Sequence, residues 1–198
     1  MTRAAGETDR KMEKVMENRM EKWIVTGRPA QSADADWWLA VRNDETTRLG
    51  SFNDKLIGPE EHAAWFSAKL ADPSERLYVF ERVMYSQASF TERQSFRVGQ
   101  LRLSGDDSEV VLSYAVAPEA RGQGVGRRIL TEAVRLAGTE FTGCVLVGEV
   151  KADNAVSRHL FEACGFAEAE NVSASEKDTG EHDPAESSAG IIRFERRL

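Results

Sequence analysis

The stretch VAPEARGQGVGRRILTEAV, residues 116–134, sets three glycines and three arginines in a turn that runs directly into apolar residues at helical spacing. Glycine lets a backbone approach a bulky group because no Cβ intervenes, and the N–H groups at a helix start lack helical acceptors and favour negative charge. The stretch therefore reads as an anion cradle that opens a helix. Two familiar phosphate motifs do not fit it. A P-loop needs GxxxxGK[ST], and no Lys-Ser or Lys-Thr follows these glycines. A dinucleotide fingerprint needs GxGxxG early in a parallel βαβ unit, whereas Gly122, Gly124 and Gly126 give GxGxG after several β-rich runs. A purely structural strand-to-helix turn is the other reading, so the surrounding chain has to decide.

Upstream of the turn, RLYVFERV, FRVGQLRL and EVVLSYAVA are β-rich and are broken by punctuation such as SGDDS, which predicts an antiparallel meander. Downstream, Val125, Ile129, Leu130, Ala133 and Val134 mark the helix, with Gly138 as its stop. A strand, CVLVGEV, then leads to a helix capped by Asn154, with Val156, Leu160, Phe161 and Cys164 inward and Gly165 ending it. Nearer the start, KWIVTGRPA reads as an edge strand. Ser32 is the expected N-cap of a helix through about Val41, with Asp34 and Asp36 in its first turn. In GPEEHAAWFSAKL, Pro59 suits the first helical position, and Trp65, Phe66 and Leu70 give the helix an apolar side. GIIRFERRL supplies a last strand. The order of elements is mixed α+β.

The chain has 198 residues, enough for one domain with a sizeable core, and 41% hydrophobic with 30% charged residues is ordinary for a globular protein. Residues 1–21 read as a tail or short helix, residues 22–198 as the domain, and an acidic, Ser-rich loop is expected at about 168–190. No apolar run has the length of a membrane span or a signal-peptide core, so the cytoplasm is the expected compartment and no membrane partner is expected. Cys144 and Cys164 lie in apolar patterns without metal-ligand spacing, and read as small buried hydrophobes. A net charge of −7 speaks against a nucleic-acid partner, whose phosphates require clustered Lys and Arg.

RGQGVG resembles the Arg/Gln-x-x-Gly-x-Gly/Ala signature of the GNAT acetyltransferases, and NAVSRHLFEACGF resembles the Asn-x-x-Ser/Ala-x-x-Leu-Tyr/Phe-x-x-x-Gly-Phe segment that follows it in that superfamily. With GRPAQSADADWWLAVRND similar to the usual first strand and helix, the likeness runs from about Lys22 to Phe166. It implies the GNAT fold, a mixed and mostly antiparallel sheet flanked by helices, with acetyl-CoA as acetyl donor. On that resemblance the backbone of Gly122, Gln123, Gly124, Val125 and Gly126, with Arg121 and Arg127, would hold the coenzyme pyrophosphate. The strand from Tyr114 to Ala117 would pair with the pantetheine arm, N–H groups around Val116 and Ala117 would receive the oxyanion, and Asn154 and Ser157 would touch the coenzyme as well as cap their helix.

Acetyl transfer to an amine asks for a neutral nucleophile, an oxyanion donor and, where needed, a proton for the departing thiolate. Glu149, in GEVKADN, is the expected base, because ribosomal-protein acetyltransferases of this superfamily carry an acidic residue in a similar LEVR setting. Its other reading is a solvent-facing strand residue, with Glu109 and Tyr114 in reserve. Many relatives have a proton-donating Tyr where this chain has Phe161. A thiol of pKa ~8.5 leaves tolerably as the anion, so another side chain, water or no acid at all could serve.

The segment RNDETTRLGSFNDKLIGPEEHAAWF resembles the WRN...EEH..WF region of acetyltransferases that modify nucleotide-linked amino sugars, including those of nonulosonic-acid pathways. That makes Arg42, Asn43 and His62 the expected acceptor contacts, although a first-turn His such as His62 is ordinarily a polar surface residue. The resulting expectation is transfer from acetyl-CoA to a primary amine, on such a sugar. The rivals are a protein N-terminal or ribosomal-protein acetyltransferase, and a non-catalytic acyl-CoA-binding regulator. The partner is a small-molecule or peptide amine, and the chain is a monomer or homodimer.

Overall fold

The computed structural model describes residues 21–86, 92–169 and 190–198. The tail and most of the acidic loop read from the sequence lie outside those residues. Among the described residues the sheet has seven strands: β1 (Glu21–Pro29), β2 (Glu75–Ser86), β3 (Glu92–Gly105), β4 (Glu109–Val116), β5 (Val145–Lys151), β6 (Ala167–Glu168) and β7 (Ile191–Arg197). Their order is β1-β2-β3-β4-β5-β7-β6, so β1 is indeed an edge. The expected meander is present as antiparallel β2–β3–β4, while β4 and β5 run parallel. This is the mixed, mostly antiparallel α+β sheet expected from the sequence. None of the described helices is long and apolar enough to cross a membrane.

Helices cover both faces: α1 (Ala35–Asn43), α2 (Glu45–Gly50) and α3 (Pro59–Ala71) lie on one, and α4 (Val125–Glu140) and α5 (Ala155–Ala163) on the other. Strand alternation divides the side chains between them. Val110, Leu112, Tyr114 and Val116 of β4 join the core beneath α4 and α5, where Ile129, Leu130, Ala133 and Phe161 are buried. Leu77 and Val79 of β2 pack on the opposite face with Trp38 of α1 and Phe66 of α3. Cys144 and Cys164 are free thiols in the interior.

Several local expectations need correction. Ser32 starts a 3-10 turn, and the capping carboxylate belongs to Asp34, which accepts from the Gln31 N–H at 2.8 Å and from two nitrogens of Arg28 at 2.8 and 2.9 Å. Its burial beside Arg28 gives it a structural partner in place of the helix dipole. Gly138 does not stop α4, which runs on to Glu140; the left-handed residue that turns the chain toward β5 is Gly143, with φ 71°. Gly165, with φ 78°, does end α5 as read. Leu70 and Val156 face solvent, at 37% and 75% exposure, so α3 buries the pair His62 and Phe66 at i, i+4 spacing instead. α2 was not anticipated. At six residues it is too short to display a helical period.

Candidate active site

The sheet forks where the site forms. β4 and β5 pair only from Glu109↔Val145 to Leu112↔Gly148, while β5 continues to Lys151 against β7. Over residues 113–116 the edge of β4 that faces β5 carries no ladder. The Ala117 N–H donates to Val98 O of β3 at 3.0 Å, and by antiparallel alternation the Val116 N–H then points the other way, into the fork. Of the two expected oxyanion donors, Ala117 is therefore committed elsewhere and Val116 is available.

The glycine turn closes one end of the fork. Gly122 and Gly124 have φ of 72° and 76°, a conformation that side chains resist, and a Cβ on either would enter open space. The first intrahelical bond of α4 runs from Arg128 N–H to Gly124 O at 3.2 Å. The N–H groups of Val125, Gly126 and Arg127 thus project from the helix end without helical acceptors, as an anion site requires. Gly126 has a different reason for lacking a side chain: a Cβ there would stand 3.1 Å from Leu160 Cδ1, so it serves the close approach of α4 to α5. The Gln123 amide is occupied, accepting from Arg82 at 2.6 Å and donating to Glu119 O at 2.8 Å. Arg121 turns toward the other sheet face, where Nη2 donates to the Asp44 carboxylate and, at 3.0 Å, to Thr47 Oγ1. Asn154 caps α5 by accepting from the Ser157 N–H at 3.1 Å.

On the α1–α3 face lies a cavity of about 210 Å³ whose floor is Gln100, Arg102, Ser113 and Ala115. Trp38 and Arg42 of α1, Thr47 of α2 and Glu61, His62 and Trp65 of α3 wall it, and Tyr114 borders it at the fork. Two nearly fully buried side chains leave a polar atom without a partner: His62, 2% exposed, at Nε2, and Gln100, 6% exposed, at Oε1. Desolvation lowers the His62 pKa, and nearby Arg42 adds to this against the opposing pull of Asp36, so the ring is neutral near pH 7. The Arg102 guanidinium is held by both oxygens of Glu75 at 2.7 Å and lies over the Trp65 ring.

Of the expected acceptor contacts, Arg42 and His62 line this cavity, and His62 is buried where a surface position was the ordinary expectation. Asn43 is not brought to it. Its amide clamps the following loop, donating to Ile57 O at 2.9 Å and accepting from Ile57 N–H at 3.0 Å. Gln100 was missed by sequence reasoning. The available signal was a lone amide in the apolar run RVGQLRL, on the side of the strand opposite Leu101 and Leu103.

Glu149 lies one register step past the last β4–β5 pair, with Val147 and Lys151 on its side of the strand. The opposite side meets α5, since a Cβ on Gly148 would collide with the Phe161 ring at 2.2 Å. Lys151 Nζ reaches Leu49 O of α2 at 3.0 Å, so the Glu149 side of β5 runs beneath α2, and Glu149 itself is exposed and does not line the cavity. Glu109 starts β4 and accepts from Arg193 at 2.6 Å, at the far end of the strand from the fork.

The model of the acetyltransferase (GNAT) family matches residues 12–166. Among solved structures, spermidine N-acetyltransferase from Vibrio cholerae, in complex with CoA and spermine, aligns with a TM-score of 0.70 at 19% identity, over 87% of this chain and 95% of that one. Ribosomal-protein-alanine N-acetyltransferase from Brucella melitensis aligns at 0.60 and 24% identity, over 87% and 99%. A putative acetyltransferase from Salmonella typhimurium with acetyl-CoA gives 0.63 and 20%, over 88% and 94%. No curated protein matches the sequence significantly. A forked β4–β5 pair, a glycine turn at the head of α4 and a family match across most of the chain lead to one conclusion: the chain belongs to the acetyltransferase (GNAT) family and is an acetyl-CoA-dependent N-acetyltransferase.

Proposed function

We propose that the protein transfers an acetyl group directly from acetyl-CoA, lying in the fork with its diphosphate on the glycine turn, to the primary amine of a nucleotide-linked amino sugar seated in the cavity. One observation carries the choice of acceptor: the cavity has two buried, unpaired polar atoms, Gln100 Oε1 and His62 Nε2, among tryptophans and hydroxyl-bearing side chains. A sugar hydroxyl both donates and accepts, matching an amide oxygen and a neutral imidazole, and a sugar ring has apolar faces that suit Trp38 and Trp65.

In this reading Glu149 takes the proton shed by the attacking amine, and the Val116 N–H stabilises the oxyanion. An amino sugar helps further, because its oxygens make the amine less basic than lysine, of pKa ~10.4, so more of it is neutral at pH 7. The test is competition for acetyl-CoA among a nucleotide-linked 4-amino sugar, a ribosomal N-terminal peptide, a lysine peptide and spermine at equal concentrations. The sugar should be acetylated fastest, and Gln100→Leu should raise its KM about tenfold while acetyl-CoA affinity holds, the cost of one lost hydrogen bond. Preference for either peptide removes the sugar reading.

A further inference from the structure

Phe161 lies where many relatives have a proton-donating tyrosine, and its surroundings are apolar: it stacks on Phe194 at 5.3 Å, meets Phe166 edge-on at 5.0 Å and covers Gly148. Yet a phenol stands beside it. Tyr114 of β4 has its ring centroid 6.2 Å from that of Phe161, in an edge arrangement, and its hydroxyl lies 3.3 Å from Ser157 Oγ in the first turn of α5. The ring is confined by three neighbours. Phe161 and Ser157 bound it along α5, and at the head of α4 a Cβ on Gly126 would come within 3.7 Å of its Cε2. Tyr114 also borders the acceptor cavity. Its hydroxyl is thus fixed against the helix turn that carries Asn154 and Ser157, where β4 and β5 separate.

We propose that Tyr114 protonates the departing coenzyme thiolate, so that the phenol absent from position 161 is supplied from β4. The inference rests on the placement of acetyl-CoA in the fork. As the amine nitrogen bonds to the acetyl carbon, the carbon–sulfur bond breaks and sulfur keeps the electron pair. Tyr114 Oη then gives its proton to sulfur, releasing free thiol. The proton lost by the amine leaves through Glu149 to solvent, and the tyrosinate recovers one from solvent by way of the Ser157 hydroxyl. Amine and thioester become amide and thiol with no other reactant. Burial raises the Tyr114 pKa, against the opposing hydrogen bond to Ser157, so the group holds its proton at neutral pH.

The experiment compares single-turnover rates of wild type and Tyr114→Phe with acetyl-CoA and with its selenoester analogue, whose selenolate leaves without protonation. Both use whichever panel amine wild type acetylates fastest, so an error in acceptor class changes the amine and not the comparison. Tyr114→Phe should keep acetyl-CoA affinity within about threefold by calorimetry and lose roughly 10–10² in rate with the thioester, at or below the usual worth of a positioned acid. With the selenoester it should lose little. Equal loss with both donors, no loss with acetyl-CoA, or a collapse of coenzyme affinity overturns the proposal. Should the variant fold poorly, 3-fluorotyrosine at position 114 keeps the shape and lowers the phenol pKa. The alkaline limb of the rate profile should then move to lower pH, and an unmoved limb counts against Tyr114.

Discussion

The base proposed at position 149 has one proton to take, and its removal should be visible in rate and not in binding. Glu149→Gln should leave acetyl-CoA affinity unchanged and slow acetyl transfer by roughly 10²–10⁴, the usual contribution of a positioned base. The deficit should narrow as pH rises and the amine deprotonates by itself; stopped-flow thiol release across pH is the measurement, and a wild-type rate at neutral pH assigns the proton to water or to another residue. Residues whose neighbours are close in sequence were legible. Asn154 bonds three residues ahead to Ser157, and Gly165 ends a helix begun ten residues earlier. Gln100 and His62 were not, because what makes them matter is α3 lying across β3, a contact between segments with separate local patterns. Asp34 was misread for the same reason: its partner Arg28 sits on a strand, and only the fold turns a dipole-compensating acid into a buried ion pair.

Among elements, the glycine turn separates two uses of the same residue type. Gly124→Glu should abolish acetyl-CoA binding, since it puts a carboxylate and a strained backbone where the diphosphate is proposed to lie. Gly126→Ala should retain binding but destabilise by about 1 kcal/mol, as the new methyl presses Leu160, 3.1 Å away, and strains the α4–α5 contact. Calorimetric titration and thermal melts separate the two outcomes, and wild-type affinity in folded Gly124→Glu would remove the anion cradle. The turn could be read from sequence because motif, glycine spacing and helix start coincide. α2 could not, because its six residues are set by the Asp44 cap and by contacts from Arg121 and Lys151 reaching over from distant segments.

For the whole molecule, the α+β class and the antiparallel meander followed from alternation and punctuation, whereas the fork followed only from the family resemblance, because loss of pairing leaves no mark in the strands that lose it. The same assembly predicts a response to acid. Burial pushes the Glu75 carboxyl up, but hydrogen bonds from Arg102, Lys69 and Ser104 more than reverse this and hold it below its ordinary value. A depressed carboxylate contributes stability that is complete above the unfolded pKa, ~4.3, and is lost as pH falls through the folded one. Thermal melts should therefore be flat near neutrality and decline in acid. Glu75→Gln should cost about 2 kcal/mol at pH 7 and flatten that decline, because the proton-linked part of the stability is removed with the charge. An equally steep decline in the variant would place the acid-sensitive group elsewhere.

The contact from Arg121 to Asp44 joins two territories that a sequence keeps 77 positions apart. One end belongs to the glycine turn at the head of α4, and the other caps the helix whose Thr47 lines the cavity. Thermodynamic linkage follows from that bridge. Where, as proposed, the diphosphate sits on that turn and the acceptor in that cavity, any factor by which one changes the other's affinity through Arg121 is matched by the same factor in return, so each of the two substrates carries information about the other's presence.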